Sequence, residues 1–179
     1  PKGAVLVAAK HMSMWDTIAL YLLLFNPVMV IKRELLAVPF YGWYVWKAGM
    51  IAIDRSAGAS ALRQMVEQAR AVADEGRAVI IFPEGTRKNP GAPPDYKPGV
   101  AGLYAQLGIA CVPVALNSGL YWTGPAGFLK KRGRIVISFL PAIPAGLKRA
   151  AFMRALEEST ENATAALVAE GRAVLANKA

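Results

Sequence analysis

Apolar residues in this chain fall into short continuous runs separated by stretches with helical spacing. Residues 5–9 (Val-Leu-Val-Ala-Ala), 28–31, 49–53, 78–82 and 111–116 read as strands, and 134–140 reads as an alternating one. Between them the period lengthens, predicting helices over 13–25, 57–75, 100–107 and roughly 148–175, with a short helical turn at 32–36. In the 57–75 helix, Ala61, Leu62, Met65, Val66, Ala69 and Val72 line one face; Phe152, Leu156, Ala163 and Leu167 do the same in the last helix. Asn26-Pro27 and Gly76 stop the first two helices. Strands alternating with helices predict a single α/β domain over 1–179, with a mixed, mostly parallel central sheet flanked by helices and a site at the strand ends.

Composition narrows the function classes. The chain is 55% hydrophobic and 18% charged, which is apolar for a soluble domain and implies unusual exposed apolar surface. Its mean hydropathy of +0.32 agrees. Lys and Arg number 21 against 12 Asp and Glu, a net charge of +9 that favours anionic lipid, phosphorylated small molecules or nucleic acid. Nucleic acid is disfavoured, because the cations are scattered over predicted turns and form no basic helix or aromatic-basic motif. One His and one Cys leave no internal disulfide and no Cys/His zinc site, and no metal is expected. The longest apolar stretch, 17–25, falls well short of the roughly 20 residues of a spanning helix. Residues 38–47 carry Tyr41, Trp43, Tyr44 and Trp46; they suit either a core filling or an interfacial belt.

Three predicted strands end in polar chemistry. The first stops at His11, with Asp16 five residues on in the first turn of a helix. Ser13 and Asp16 fit a capping box, and the same carboxylate can hold an imidazole in one tautomer. The 49–53 strand delivers Asp54, Arg55 and Ser56; Asp54 or Ser56 suits a cap, while Arg55 opposes the helix dipole and calls for an anionic partner. The 78–82 strand delivers Glu84, Gly85, Thr86 and Arg87, a tight turn and a guanidinium fork suited to phosphate. Residues 88–98 form a Pro/Gly-rich loop long enough for a lid, and Pro113 within a strand marks an edge, a bulge or a site. One base with its carboxylate, several cations and an apolar remainder suit group transfer onto a hydroxyl of a phosphorylated, lipid-like molecule.

Four ordered blocks then carry a resemblance. They are His11-Met12-Ser13-Met14-Trp15-Asp16, then Gly49-Met50-Ile51-Ala52-Ile53-Asp54-Arg55, then Phe82-Pro83-Glu84-Gly85-Thr86-Arg87, then Val112-Pro113-Val114-Ala115-Leu116. In these the chain resembles the glycerolipid acyltransferase family, and within it the bacterial 1-acyl-sn-glycerol-3-phosphate acyltransferases, over about residues 3–145. The third block is highly specific and the ordered set more so. Lys10 and Met12 stand where the family more often has Asn and Gln; neither change is expected to remove activity.

The resemblance implies roles by position. His11 would be the general base on the free hydroxyl of lysophosphatidic acid, and Asp16 would orient it and stabilise the imidazolium. Arg55, Glu84, Gly85, Thr86 and Arg87 would bind the glycerol phosphate, and Pro113 would shape the pocket near the acyl donor. Backbone amides near Ser13 or Gly85 are candidates for the oxyanion. No cofactor is implied; acyl-CoA or acyl-carrier protein is the donor substrate. The implied location is the cytoplasmic face of the inner membrane, on an anionic lipid surface. The family usually has an N-terminal membrane-associating region, which is expected to lie outside this chain. Another acceptor, such as glycerol 3-phosphate, or a non-catalytic anionic-lipid-binding module would also fit the basic pocket.

Overall fold

The computed structural model describes residues 3–122 and 130–177. Six strands form one sheet in the order β3-β2-β4-β1-β5-β6. They are β1 (Val5–Ala9), β2 (Val28–Lys32), β3 (Ile51–Ile53), β4 (Ala78–Ile81), β5 (Cys111–Leu116) and β6 (Ile137–Phe139). The first five run parallel and β6 is antiparallel to β5. Central β1 pairs Val5 with Ala78 of β4 and Leu6 with Cys111 of β5, and all five of its residues are buried. A strand covered on both faces reads as a continuous apolar run, which is why 5–9 shows no alternation.

Helices cover both faces. On one, α1 (Met14–Leu23) and α2 (Tyr41–Lys47) pack through Leu20, Leu24 and Val45 onto Val5, Val7 and Ile80. On the other, α3 (Gly58–Asp74), α4 (Gly99–Leu107) and α5 (Arg149–Ala176) pack onto Leu6, Ala8, Val79 and Ile81. Tyr104 of α4 stacks on Phe152 of α5, with centroids 3.8 Å apart. Helix α3 approaches α4 so closely that a Cβ on Gly102 would lie 2.9 Å from Leu62 Cδ2.

Two strands are shorter than their patterns predict. Gly49, at φ 69°, turns the chain out of α2, so β3 starts only at Ile51. Strand β6 stops at Phe139 because Pro113, next along β5, offers a carbonyl to Leu140 N–H but no amide in return. Pairing resumes at Cys111 and Ile143, so Pro113 marks a bulge inside the sheet. The aromatic stretch is mostly outside: Phe40 is 90% exposed, Trp43 61% and Trp46 70%, while α2 buries only Gly42 and Val45. Among the described residues no helix is long and apolar enough to cross a membrane.

Candidate active site

Because β1, β3 and β4 are parallel, their carboxyl ends lie along one edge of the sheet, and the three polar segments read from the sequence share that edge. The segments after β1 and β4 are neighbours; the one after β3 is three strands from β1, about 14 Å at ~4.8 Å per step.

His11 follows β1, and its ring stacks on Phe82 with centroids 4.0 Å apart. Its Nδ1 is 3.1 Å from Asp16 Oδ2. Asp16 is fully buried at the start of α1, and the same Oδ2 accepts Met12 N–H at 2.7 Å and Ser13 N–H at 2.8 Å. Ser13 Oγ donates to Oδ1 at 3.0 Å and stands 2.9 Å from Ser118 Oγ. The capping box is therefore present and catches the imidazole as well. A carboxylate accepts hydrogen bonds and has none to give, so the proton of neutral His11 sits on Nδ1 and the lone pair on Nε2.

The turn after β4 holds the second half of the site. Gly85, at φ 65°, lets the chain fold back, and its N–H donates to Phe82 O at 2.9 Å. Thr86 is exposed and Arg87 half-buried. Among the described residues Arg87 makes no hydrogen bond or ion pair, so its guanidinium is available to an anion. Glu84 is turned inward. It is 2% exposed, and Oε1 accepts from Lys10 Nζ at 3.0 Å. Burial pushes its carboxyl above the ordinary glutamate range, and the Lys10 ammonium opposes that shift without cancelling it. The amides of Ser13 and Gly85, candidates for an oxyanion, are both engaged, one by Asp16 and the other by Phe82.

Asp54 caps the 3₁₀ turn Arg55–Ala57; it accepts the Ser56 hydroxyl at 2.5 Å and Ser56 N–H at 2.9 Å, and these bonds, the hydroxyl's first, hold its carboxyl below the usual range. The side chain of Arg55 lies outside the described residues. Pro113 is buried in β5 opposite Ala8, one strand from the line that carries His11. A cavity of about 600 Å³ reaches the back of the β4 turn, lined by Phe82, Pro83 and Gly85 and, deeper, by Ile53, Leu62 and Met65.

Three participants were not read from the sequence. Phe82 supplies the floor under His11, Ser118 props Ser13, and Lys10 reaches Glu84 and Glu161 across 74 and 151 residues. The only local signal was a lysine beside His11 at the end of an apolar run.

The model of the family described as "Acyltransferase" matches residues 1–117, which hold all four blocks. The chain belongs to the acyltransferase family. This acyltransferase domain is 39% identical over 146 residues to a 1-acyl-sn-glycerol-3-phosphate acyltransferase of Pseudomonas aeruginosa, covering 81% of the chain and 56% of that relative. It is 32% identical over 152 residues to the alpha enzyme of that name from Ovis aries, covering 83% and 52%. The chain thus spans about half the length of these curated relatives. The crystal structure of the 1-acyl-sn-glycerophosphate (LPA) acyltransferase PlsC from Thermotoga maritima shares the acyltransferase domain's fold. Its TM-score is 0.76 at 19% identity, over 93% of this chain and 66% of that one.

Proposed function

We propose that this domain transfers a fatty acyl group from a thioester donor to the free sn-2 hydroxyl of 1-acyl-glycerol 3-phosphate, giving phosphatidic acid. The observation that carries the reading is the His11–Asp16 pair, which leaves the lone pair of Nε2 to act as a base at the end of β1, next to the strand whose turn bears Arg87. Nε2 takes the hydroxyl proton as the oxygen attacks the thioester carbonyl. The tetrahedral adduct collapses with cleavage of the C–S bond, and the imidazolium returns its proton to the leaving thiolate. Asp16 keeps the ring oriented through the cycle. Arg87 binds the acceptor phosphate, with Thr86, Gly85 and Arg55 as further contacts, and Glu84 anchors the turn that carries them. The 600 Å³ apolar cavity is within the range of lipid and cofactor sites and suits an acyl chain reaching the β4 turn. Pro113 shapes β5 beside the site. Acyl-CoA and acyl-carrier protein both fit as donors, and no cofactor enters the chemistry.

The printed names of the relatives support 1-acyl-glycerol 3-phosphate as acceptor. The exposed aromatic face of α2, with Lys32, Arg33 and Lys47 beside it in sequence, supports docking on an anionic membrane surface; the cytoplasmic side is what the family resemblance implies. The test is product analysis with palmitoyl-CoA and palmitoyl-carrier protein, each offered 1-acyl-glycerol 3-phosphate or glycerol 3-phosphate. Phosphatidic acid from the first acceptor is the expected product. Lysophosphatidic acid formed from glycerol 3-phosphate alone would move the acceptor, and no product from any combination would contradict acyl transfer by this domain.

A further inference from the structure

Lys10 ends the apolar run before His11, yet it is 2% exposed. Successive residues of a strand point to opposite faces. His11 goes to Phe82, and Lys10 goes to the α5 side. There its ammonium lies 3.0 Å from Glu84 Oε1 and 2.8 Å from Glu161 Oε1. Glu161 Oε1 also accepts the Tyr96 hydroxyl at 3.0 Å. Four segments thus meet on one buried cation: the end of β1, the β4 turn, the Pro/Gly loop and α5.

That cluster bears on the site through the backbone. Glu84 lies in the chain between Phe82, on which His11 stacks, and Arg87, which has no partner among the described residues. Pro83 O accepts Lys97 N–H at 2.9 Å, and His11 O accepts Lys88 N–H at 2.8 Å, so the turn and the loop are laced to each other and to the base. Further along, Arg172 of α5 donates to Pro90 O. Without Lys10, a buried carboxylate and a partly exposed one would face each other with no cation between them, and the turn would have to move or change charge.

We propose that Lys10 is a positioning residue for acyl transfer: by pairing with Glu84 and Glu161 it pins the Phe82–Arg87 turn to α5, and so sets the floor under His11 and the place of the Arg87 guanidinium. This rests on the acyl-transfer reading of the site. The pairing uses a cation at a position where an uncharged side chain would leave two carboxylates without a countercharge, and Lys10 is 2% exposed and faces α5 rather than His11.

The test compares the unaltered protein with Lys10→Met, Glu84→Gln, Lys10→Met/Glu84→Gln and Glu161→Gln. Two readouts are used: KM and kcat for lysophosphatidic acid with palmitoyl-CoA, and hydrogen exchange at the Gly85 and Lys88 amides. Lys10→Met is expected to raise KM by about tenfold or more, with a smaller fall in kcat, and to speed exchange at both amides by about tenfold. The double variant is expected to be less impaired than the sum of its single changes, because the stranded carboxylate is gone. Unchanged KM and unchanged exchange in a folded Lys10→Met protein would overturn the proposal. If Lys10→Met does not fold, the double variant is read the same way, and if neither folds, Glu161→Gln is: a raised KM with faster exchange supports the pin, and wild-type values for both overturn it. An unaltered protein silent with lysophosphatidic acid would refute the reaction, not the pin. The exchange data would then decide alone, with faster exchange in Lys10→Met supporting the pin and unchanged exchange overturning it.

Discussion

Asp16 Oδ2 holds the Nδ1 of His11 at 3.1 Å while accepting two backbone amides, so the carboxylate that starts helix α1 also fixes the tautomer of the proposed base. An amide in its place can accept the same backbone bonds, but it brings a donor to a position that needs only acceptors. Asp16→Asn should therefore lower kcat by ~10²–10⁴ while changing KM little. Steady-state kinetics on folded protein checks this, and a loss confined to KM would point to a binding role instead.

Among the described residues Arg87, in the turn after β4, has no hydrogen-bond or ion-pair partner. If it holds the acceptor phosphate, Arg87→Ala should raise KM for lysophosphatidic acid by roughly 10- to 100-fold, the scale of a lost charge-assisted hydrogen bond. Arg87→Lys should recover part of that, since lysine keeps the charge but not the fork. Equal KM values for all three proteins would remove Arg87 from the phosphate site.

Phe40 sits at φ 61°, ψ −47°, a backbone region suited to glycine, with its ring 90% exposed. A bulky apolar residue held outward at a strained position fits a surface that meets lipid. Phe40→Gly should keep or raise the thermal midpoint while weakening binding to anionic vesicles. Binding should also fall with salt, because the attraction of about 1 kcal/mol per basic residue near the surface is screened. Sedimentation with vesicles measures both; unchanged binding by the variant would exclude this face, and salt-insensitive binding would contradict an electrostatic contribution.

The buried carboxyl of Glu84 makes stability depend on pH. Its folded value lies above the ordinary 4.5, chiefly through burial. Between those two values the folded state binds more protons than the unfolded state, so this group's contribution is fully present below the ordinary value and is lost as pH rises through the folded one. Glu84→Gln lacks that titration. Its thermal midpoint should fall less, or rise more, than that of the unaltered protein as pH is raised from about 4.5 towards neutrality. Parallel midpoint-against-pH curves would exclude Glu84 as the source.

Local features were the legible ones. The five-residue step from His11 to Asp16 is one strand end and one helix turn, so spacing alone brings imidazole and carboxylate together. The β1 run was plain because a central parallel strand is apolar on both faces. Glu84 was not legible: its sequence neighbours suggest a phosphate site, and its burial depends on Lys10 and on Glu161, 77 residues further along the chain by their offsets of 74 and 151 from Lys10. Nor was the fate of residues 38–47, since Trp and Tyr suit core and interface alike; the geometry of α2, which turns only Gly42 and Val45 inward, decides it. Pro113 signalled an irregular strand, and the ladder breaks beside it, but the spacing could not say that the strand lay inside the sheet.

His11 is the proposed base of an acyl transfer to lysophosphatidic acid. Its most direct test is the initial rate of thiol release from palmitoyl-CoA in vesicles, with and without lysophosphatidic acid, for the unaltered protein and His11→Ala. The expected result is release that requires the acceptor and falls by ~10²–10⁴ in the variant. Acceptor-dependent release that persists undiminished in His11→Ala would exclude His11 as the base.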